Sequence, residues 1–447
     1  MALTDPKKLA RRQLQLDRER TVGGHVGKPL GRILYARKIA RMRVSPFAFL
    51  RGAAPIFYEL LDTRPQLAAG PGGKGWLAGD LHLENFGAYH PEHVHASPEH
   101  QRGGAAGKKH AAEHRARVVF GLNDFDDAVR GPFRLDVLRL LTSIVLAGRE
   151  LGCDGVTSIQ LCRAFLDGYR RDLTAGQTKR KSAKKSSAKE PSSIPGPVAA
   201  LIEQVATRTR TELLAGRTEL HHGERRFVRG ERYVDLPKNL VAEVPRTLAR
   251  YAAALPKDER VAPEELELVD AALRIAGTGS LGSLRIAALV RGKGGPNGGF
   301  IFDLKEQGEP SASALLGRSR ESPAERVLAA FRATASPPPR LLGTSRIGRV
   351  PLFVRRLMPQ EDKLDLAHIA AADLEPLAAY LGLLVGEAHG RGAAAERKGG
   401  RAERVRWTAA DGEAMVDRAL TVAGIHESVY LAYCKLVLDE MTETRAA

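Results

Sequence analysis

The sequence predicts an α+β protein of two lobes, with a small antiparallel β lobe over a mainly helical one. Two short apolar runs, Trp76-Leu77-Ala78 and 117–122, each lead into an acidic station, at Asp80 and Asp124. Far downstream, the glycine-rich turn Gly277-Thr278-Gly279-Ser280-Leu281-Gly282 precedes a β-rich stretch over 284–305. Elsewhere apolar residues recur at helical spacing, as over 135–151 and 377–391. At 447 residues the chain exceeds the usual span of one hydrophobic core, which agrees with more than one lobe.

The elements follow in order. Residues up to about 43 are basic, with Leu and Ile at helical intervals, and lead through Ser45-Pro46-Phe47-Ala48-Phe49-Leu50-Arg51-Gly52 into a helix expected at 54–61. A Gly/Pro loop at 69–75 precedes the first strand, which is punctuated by Gly79-Asp80. Residues 90–116 carry six histidines with almost no large apolar residue and read as an exposed insertion; without a regular spacing they make a poor metal site. The strand at 117–122 runs into Asn123-Asp124-Phe125-Asp126-Asp127, and after Gly131-Pro132 a buried helix is expected. These parts form a first region, 1–174. A Lys/Ser/Gly/Pro segment, 175–197, reads as a disordered linker. Residues 198–276 read as helical, 277–360 as a β-rich lobe ending in a hinge strand at 353–359, and 361–447 as helices that return to the larger lobe.

Hydrophobic residues at 43% and charged residues at 27% are ordinary for a globular chain. The longest apolar stretches are too short or too interrupted by charge to span a bilayer, and the amino terminus lacks a signal-peptide core, so the expectation is a cytoplasmic protein. Cys153, Cys162 and Cys434 form neither a CxxC pair nor an even framework and read as small buried hydrophobes. The formal net charge of +17 would attract phosphates in any form. Residues 179–190 hold six Lys/Arg and one acid, with no interleaved aromatics to stack on bases, so nucleic acid is a possible partner that is not favoured.

The residues that carry chemistry are the two acidic stations. Gly79-Asp80-Leu81-His82-Leu83-Glu84-Asn85-Phe86-Gly87 and Asn123–Asp127 supply carboxylates at strand ends with an amide between them. Magnesium prefers one or two carboxylates together with phosphate oxygens. Phosphoryl transfer further needs a carboxylate that orients or deprotonates the attacking hydroxyl. Asp80 suits that role; Asn85, Asp124 and Asp126 are candidate metal ligands. The alternative is that Asp80 and Asp124 merely cap strands and Asn85 closes an Asx-turn. In the second signal, Gly277, Gly279, Ser280 and Gly282 form a turn whose backbone amides can approach phosphates, and Lys305 on the following strand can pair with α/β-phosphate oxygens. A strand rather than a helix follows the glycines, which disfavours a dinucleotide-binding motif. Glu325, on an expected helix, is a candidate partner for Lys305.

These residues resemble the aminoglycoside-phosphotransferase and choline-kinase branch of the protein-kinase-like superfamily, which uses a His-Gly-Asp-x-His-x-x-Asn loop. Asp80, His82 and Asn85 match it, while Ala78 stands where the first His would be. The resemblance implies ATP and Mg2+ as cofactors, a catalytic role for Asp80 and His82, and a structural role for Asp136 in holding the loop. The chain is more closely similar, from about residue 30 onward, to a bacterial domain-of-unknown-function family, number 2252. The matching pieces include Lys38…Met42, the stretch containing Arg51, both acidic stations, the glycine turn, Leu304-Lys305-Glu306 and 355–362. Arg51 is accordingly carried as a supporting residue. Kinases place their nucleotide-covering lobe first, whereas here it follows the acidic stations, so the kinase-like fold implied is a circularly permuted one. The function expected is an ATP-dependent phosphotransferase acting on a hydroxyl of an unknown acceptor, small molecule or protein. The alternatives are nucleotidyl transfer or nucleotide binding alone, a metal-dependent phosphoesterase using Asp80, His82, Asp124 and Asp126, and a basic nucleic-acid-binding protein.

Overall fold

The computed structural model describes residues 5–91, 118–175, 194–395 and 407–446. The histidine-rich insertion and the basic linker lie, apart from their edges, outside these residues. Four helices open the chain: α1 Pro6–Val22, α2 Lys28–Met42, α3 Pro46–Gly52 and α4 Ala54–Thr63. Asp5 caps α1 by accepting from Lys7 and Lys8 N–H, and Ser45 caps α3 from the Ala48 N–H. Strands β1 Lys74–Leu77, β2 Phe86–Tyr89, β3 Val119–Leu122 and β4 Val129–Pro132 follow, β1 pairing antiparallel with β4 and β2 with β3.

Helix α5, Arg134–Glu150, is buried along nearly its whole length, and α6, Gly155–Ala175, packs beside it. Residues 196–274 correct the sequence reading. They hold helices α7 Gly196–Ala206, α8 Arg210–Ala215 and α9 Lys238–Ala254, but also four strands, β5 Thr218–His221, β6 Glu224–Phe227, β7 Tyr233–Asp235 and β8 Leu268–Arg274. Strands β7 and β8 join β9 Arg285–Val290, β10 Phe300–Glu306, β11 Gly343–Ile347 and β12 Val350–Arg356 in a six-stranded antiparallel sheet, ordered β11-β12-β10-β9-β8-β7. The strands therefore begin at Thr218, and the six-stranded sheet at Tyr233, well before the expected boundary at 277.

Both faces of this sheet are covered, so its strands read as apolar runs rather than as clean alternation. Ile286, Ala288 and Val290 face the side occupied by Val244, Leu248 and Tyr251 of α9, while Ala287 and Leu289 face Leu214 and Phe227. Helices α10 Ser313–Leu316 and α11 Pro323–Thr334 lie between β10 and β11 in the chain. After β12 the chain leaves the sheet, and β13, Asp362–Lys363, pairs with Gly87 and Ala88 of β2. The segment expected to be a hinge thus starts as the end of a sheet strand and then physically connects two sheets. Helices α12 Ala371–Ala395 and α13 Ala409–Ala446 complete the helical part. Its main core joins α5, α6 and α12, and a separate core joins α1 and α3 to Val429, Tyr433 and Val437 of α13. The architecture is mixed α+β with antiparallel sheets. Among the described residues no helix is long and apolar enough to cross a membrane. Cys162 is buried, and Cys153 and Cys434 are partly so.

Candidate functional site

The first acidic station is held by its backbone. Leaving β1, the chain turns at Gly79 with φ +81°, where a Cβ would stand 1.9 Å from the Asp127 carbonyl oxygen, so only glycine fits. Asp136, fully buried in the first turn of α5, accepts from the Ala78 N–H at 2.7 Å and the Gly79 N–H at 3.0 Å. Its other partner is His389 Nε2, at 3.3 Å. Because a carboxylate only accepts, His389 donates to it from Nε2, and Nδ1 accepts a hydrogen bond from the Tyr169 hydroxyl at 3.0 Å. The His389 ring stacks on Phe133 at 4.4 Å. A buried relay, Tyr169 to His389 to Asp136, therefore fixes the loop that presents Asp80. Asp136→Ala would leave two loop N–H groups and the His389 N–H without partners, and a loss of roughly 3–5 kcal/mol is expected in denaturant unfolding. Asp136→Asn, which keeps one acceptor, is expected to lose less.

Asp80 itself accepts through Oδ1 from Arg139, at 2.8 Å from Nε and also from Nη2. Arg139 is fully buried, donates to the Leu50 carbonyl at 2.9 Å and lies over the Phe57 ring. Burial raises the Asp80 carboxyl, and the nearby Asp127 and Asp124 carboxylates add to it, outweighing Arg139, so its pKa is pushed up to about 7. Downstream, His82 and Asn85 close a 3-10 turn over Leu83–Asn85. His82 Nδ1 accepts from the Glu84 N–H at 3.2 Å, and Asn85 Oδ1 accepts from the His82 N–H at 2.6 Å. Burial, together with Arg51, Arg139 and Lys363, keeps the His82 ring neutral, so it lines the site as an Nε2–H donor rather than as an acid. The Asn85 carbonyl accepts from the Asn123 N–H at 3.0 Å, which ties the first station to the second.

The three carboxylates after β3 have different fates. Asp127 accepts from the Ser311 N–H at 2.8 Å and its hydroxyl at 3.1 Å. Asp126 is ion-paired with Lys305 and accepts from Gln307 Nε2 at 3.0 Å. Asp124 makes no hydrogen bond or ion pair among the described residues. Burial would push its carboxyl up, but Lys305, Lys363 and Arg285 overcome this and hold it below the usual range.

The opposite wall comes from the six-stranded sheet. Arg285 grips Asp303 from β9 at 2.9 and 3.2 Å, and Arg274 of β8 reaches the same carboxylate at 2.8 Å, holding Asp303 well below the usual range despite burial. Lys305 projects from β10 beside them, its ammonium pKa lowered by burial against the pull of Asp124. The glycine turn links β8 to β9. Its carbonyls are latched by the amino-terminal helices: Arg41 donates to Gly277 O, and Arg20 to Gly279 O at 2.9 Å. Ser280 Oγ donates to the Ala276 carbonyl at 3.0 Å. At Gly282, φ is +96° and a Cβ would lie 2.6 Å from Thr21 Cγ2, so α1 packs directly on the turn.

Both walls face one cleft of ≈340 Å³. Asp80, His82, Asn85, Asp124 and Asp126 line it from one side, and Gly277, Gly279, Ser280 and Lys305 from the other, with Arg51 at the edge in an ion pair with Glu84. A larger groove of ≈610 Å³ between α1 and α13 collects none of these residues. Among the described residues no group of three or more His, Cys, Asp or Glu side chains is placed to hold a metal. A magnesium ion that takes most of its oxygens from a nucleotide and water needs fewer protein ligands. The uncommitted Asp124 fits such an ion, and Asn85 Oδ1 keeps a second lone pair for it.

A family model described as an uncharacterised protein conserved in bacteria (DUF2252) matches residues 33–96 and 110–436. The chain belongs to this family. No curated protein and no solved structure matches it. Helix α1 of this DUF2252 chain lies before the matched residues.

Three assignments change in this DUF2252 structure. Glu325 is exposed on α11 and does not meet Lys305, whose partner is Asp126. Asp126, expected as a metal ligand, is committed to Lys305 and Gln307. His82 is a neutral capping residue. Arg139 was missed, although it left a signal: with Asp136 it is one of two charged residues inside the otherwise apolar and neutral stretch 135–148. A charge within such a run has to find a buried partner.

Proposed function

We propose that this DUF2252 protein is an ATP- and Mg2+-dependent phosphotransferase acting on a hydroxyl, on a kinase-like two-lobe fold in circularly permuted order. One observation carries the reading: a single cleft gathers a carboxylate poised near neutrality, a second carboxylate with no hydrogen bond or ion pair among the described residues, a buried lysine and a glycine turn, drawn from distant parts of the chain. In this reading the 277–282 turn covers the phosphates, and Lys305 pairs with their oxygens as Asp126 releases it. Asp124 and Asn85 would hold Mg2+, which when bound neutralises charge developing on the phosphates. Asp80 takes the acceptor's hydroxyl proton, the hydroxyl oxygen attacks the γ-phosphorus, and the β–γ bridging bond breaks to leave ADP. Arg139 keeps the Asp80 carboxylate aimed.

Among the described residues no three-carboxylate or histidine cluster is placed to serve the phosphoesterase alternative, which needs the protein to supply most ligands. Because Asp80 acts deprotonated, kcat/KM is expected to rise with pH through about 7 and level off above it. A profile flat between pH 5.5 and 8 would remove Asp80 from the role. The reading is tested by thermal stabilisation. ATP with Mg2+ should raise the melting temperature by mass action, and single-stranded nucleic acid at equal phosphate concentration should not. The reverse pattern would favour the nucleic-acid alternative.

A further inference from the structure

Behind the glycine turn lies a second chamber of ≈380 Å³, walled by α1, α2 and the end of β10. It adjoins the cleft, the two sharing Arg20, Gly52, Pro55, Ser283, Glu306 and Gly308. Its floor is a buried polar triad. Lys38 Nζ meets Asp17 Oδ1 at 2.7 Å, and Gln13 Nε2 donates to the same oxygen at 2.8 Å and to the Gly52 carbonyl at 3.3 Å. All three residues are at most 1% exposed. The two bonds from Nε2 fix the amide orientation, so Oε1 is the free end.

Among the described residues, two acceptors in this triad, Gln13 Oε1 and Asp17 Oδ2, have no hydrogen-bond partner. A buried acceptor left unpaired costs stability, and such atoms in a walled chamber point to a ligand that donates hydrogen bonds. Asp17 is already paired with Lys38, so what the floor lacks is hydrogen-bond donors rather than charge. A charged ligand would disturb that ion pair, whereas a neutral one bearing several O–H donors would supply what is missing. The chamber adjoins the cleft that Asp80 lines, so a ligand seated here lies next to the cavity of the group that would deprotonate an acceptor.

We infer that this chamber is the acceptor subsite and that the acceptor is a small neutral polyol, one hydroxyl facing Asp80 and others donating to Gln13 Oε1 and Asp17 Oδ2. The inference rests on the phosphotransferase reading for its consequence but not for its binding test. It also gives Lys38 a role: holding the Asp17 carboxylate in place as an acceptor.

The full chain is titrated with glycerol, a hexitol, a hexose and a cyclohexane hexol, binding being read by saturation-transfer NMR without nucleotide. The same titrations are run on Gln13→Met, which removes one acceptor at similar shape, and on Leu16→Trp, which narrows the chamber without touching the triad. At least one polyol is expected to bind the wild type, to bind at least about tenfold more weakly to each variant that retains its melting temperature, and to accelerate ADP release from ATP. No polyol binding, or binding equal in wild type and a folded variant, overturns the inference and leaves the two acceptors to water. Polyol binding that both variants weaken, in a wild-type protein that does not bind ATP with Mg2+, would instead overturn the phosphotransferase reading and keep the chamber as a polyol site.

Discussion

Asp124→Ala is expected to weaken Mg2+-dependent ATP binding by about 100-fold or more, roughly 2.8 kcal/mol. Asp124 is the carboxylate in the cleft with no hydrogen bond or ion pair among the described residues, and Lys305, Lys363 and Arg285 keep it ionised. An ionised carboxylate without a partner, facing a cleft, is suited to a cation. Because no hydrogen bond holds it, its removal is expected to shift the melting temperature by only a few degrees. Loss of nucleotide affinity would then reflect the site and not the fold. Undiminished affinity in the folded variant would contradict the assignment.

Asp80→Asn is expected to spare ATP binding and to cut turnover by about 10²–10⁴-fold, the usual worth of a positioned base. The substitution also leaves the buried Arg139 guanidinium facing a neutral amide, and breaking a buried ion pair on one side costs about 3–5 kcal/mol. Stability therefore has to be measured beside turnover. Asp80→Glu keeps the charge for Arg139 and displaces the carboxyl by one methylene, so it is expected to lose turnover while losing less stability. Turnover retained in both variants would make Asp80 a partner for Arg139 and nothing more.

Much of the site was legible because its parts are local. The two acidic stations each follow a short strand, and the pairing of β9 with β10 was readable from two apolar runs flanking a glycine-rich turn. The role carried to Asp136 by resemblance agrees with its bonds to Ala78 and Gly79. Strand β8 was not legible. Its residues, Leu268-Val269-Asp270-Ala271-Ala272-Leu273-Arg274, lack a period of two because the sheet is covered on both faces, and such a run cannot be told from a buried helix by periodicity.

The partner of Lys305 was not legible either. Asp126 and Glu325 are both acidic residues distant from Lys305 in the chain, and only tertiary packing brings Asp126 to it. The inner chamber was hidden for the same reason. Gln13, Asp17 and Lys38 look like ordinary polar positions on basic helices until α1 and α2 pack against the glycine turn.

The central claim is that the acidic stations and the glycine–lysine half form one nucleotide site. Isothermal titration of a nonhydrolysable ATP analogue, with and without Mg2+, into the wild type, Asp124→Ala and Lys305→Met tests it most directly. The account expects one molecule bound per chain, Mg2+ strengthening the wild-type affinity, and both substitutions weakening it although one follows β3 and the other stands on β10 of a different sheet. If the analogue does not bind, or if its binding is indifferent to Mg2+ and to both substitutions, the two halves do not form a nucleotide site.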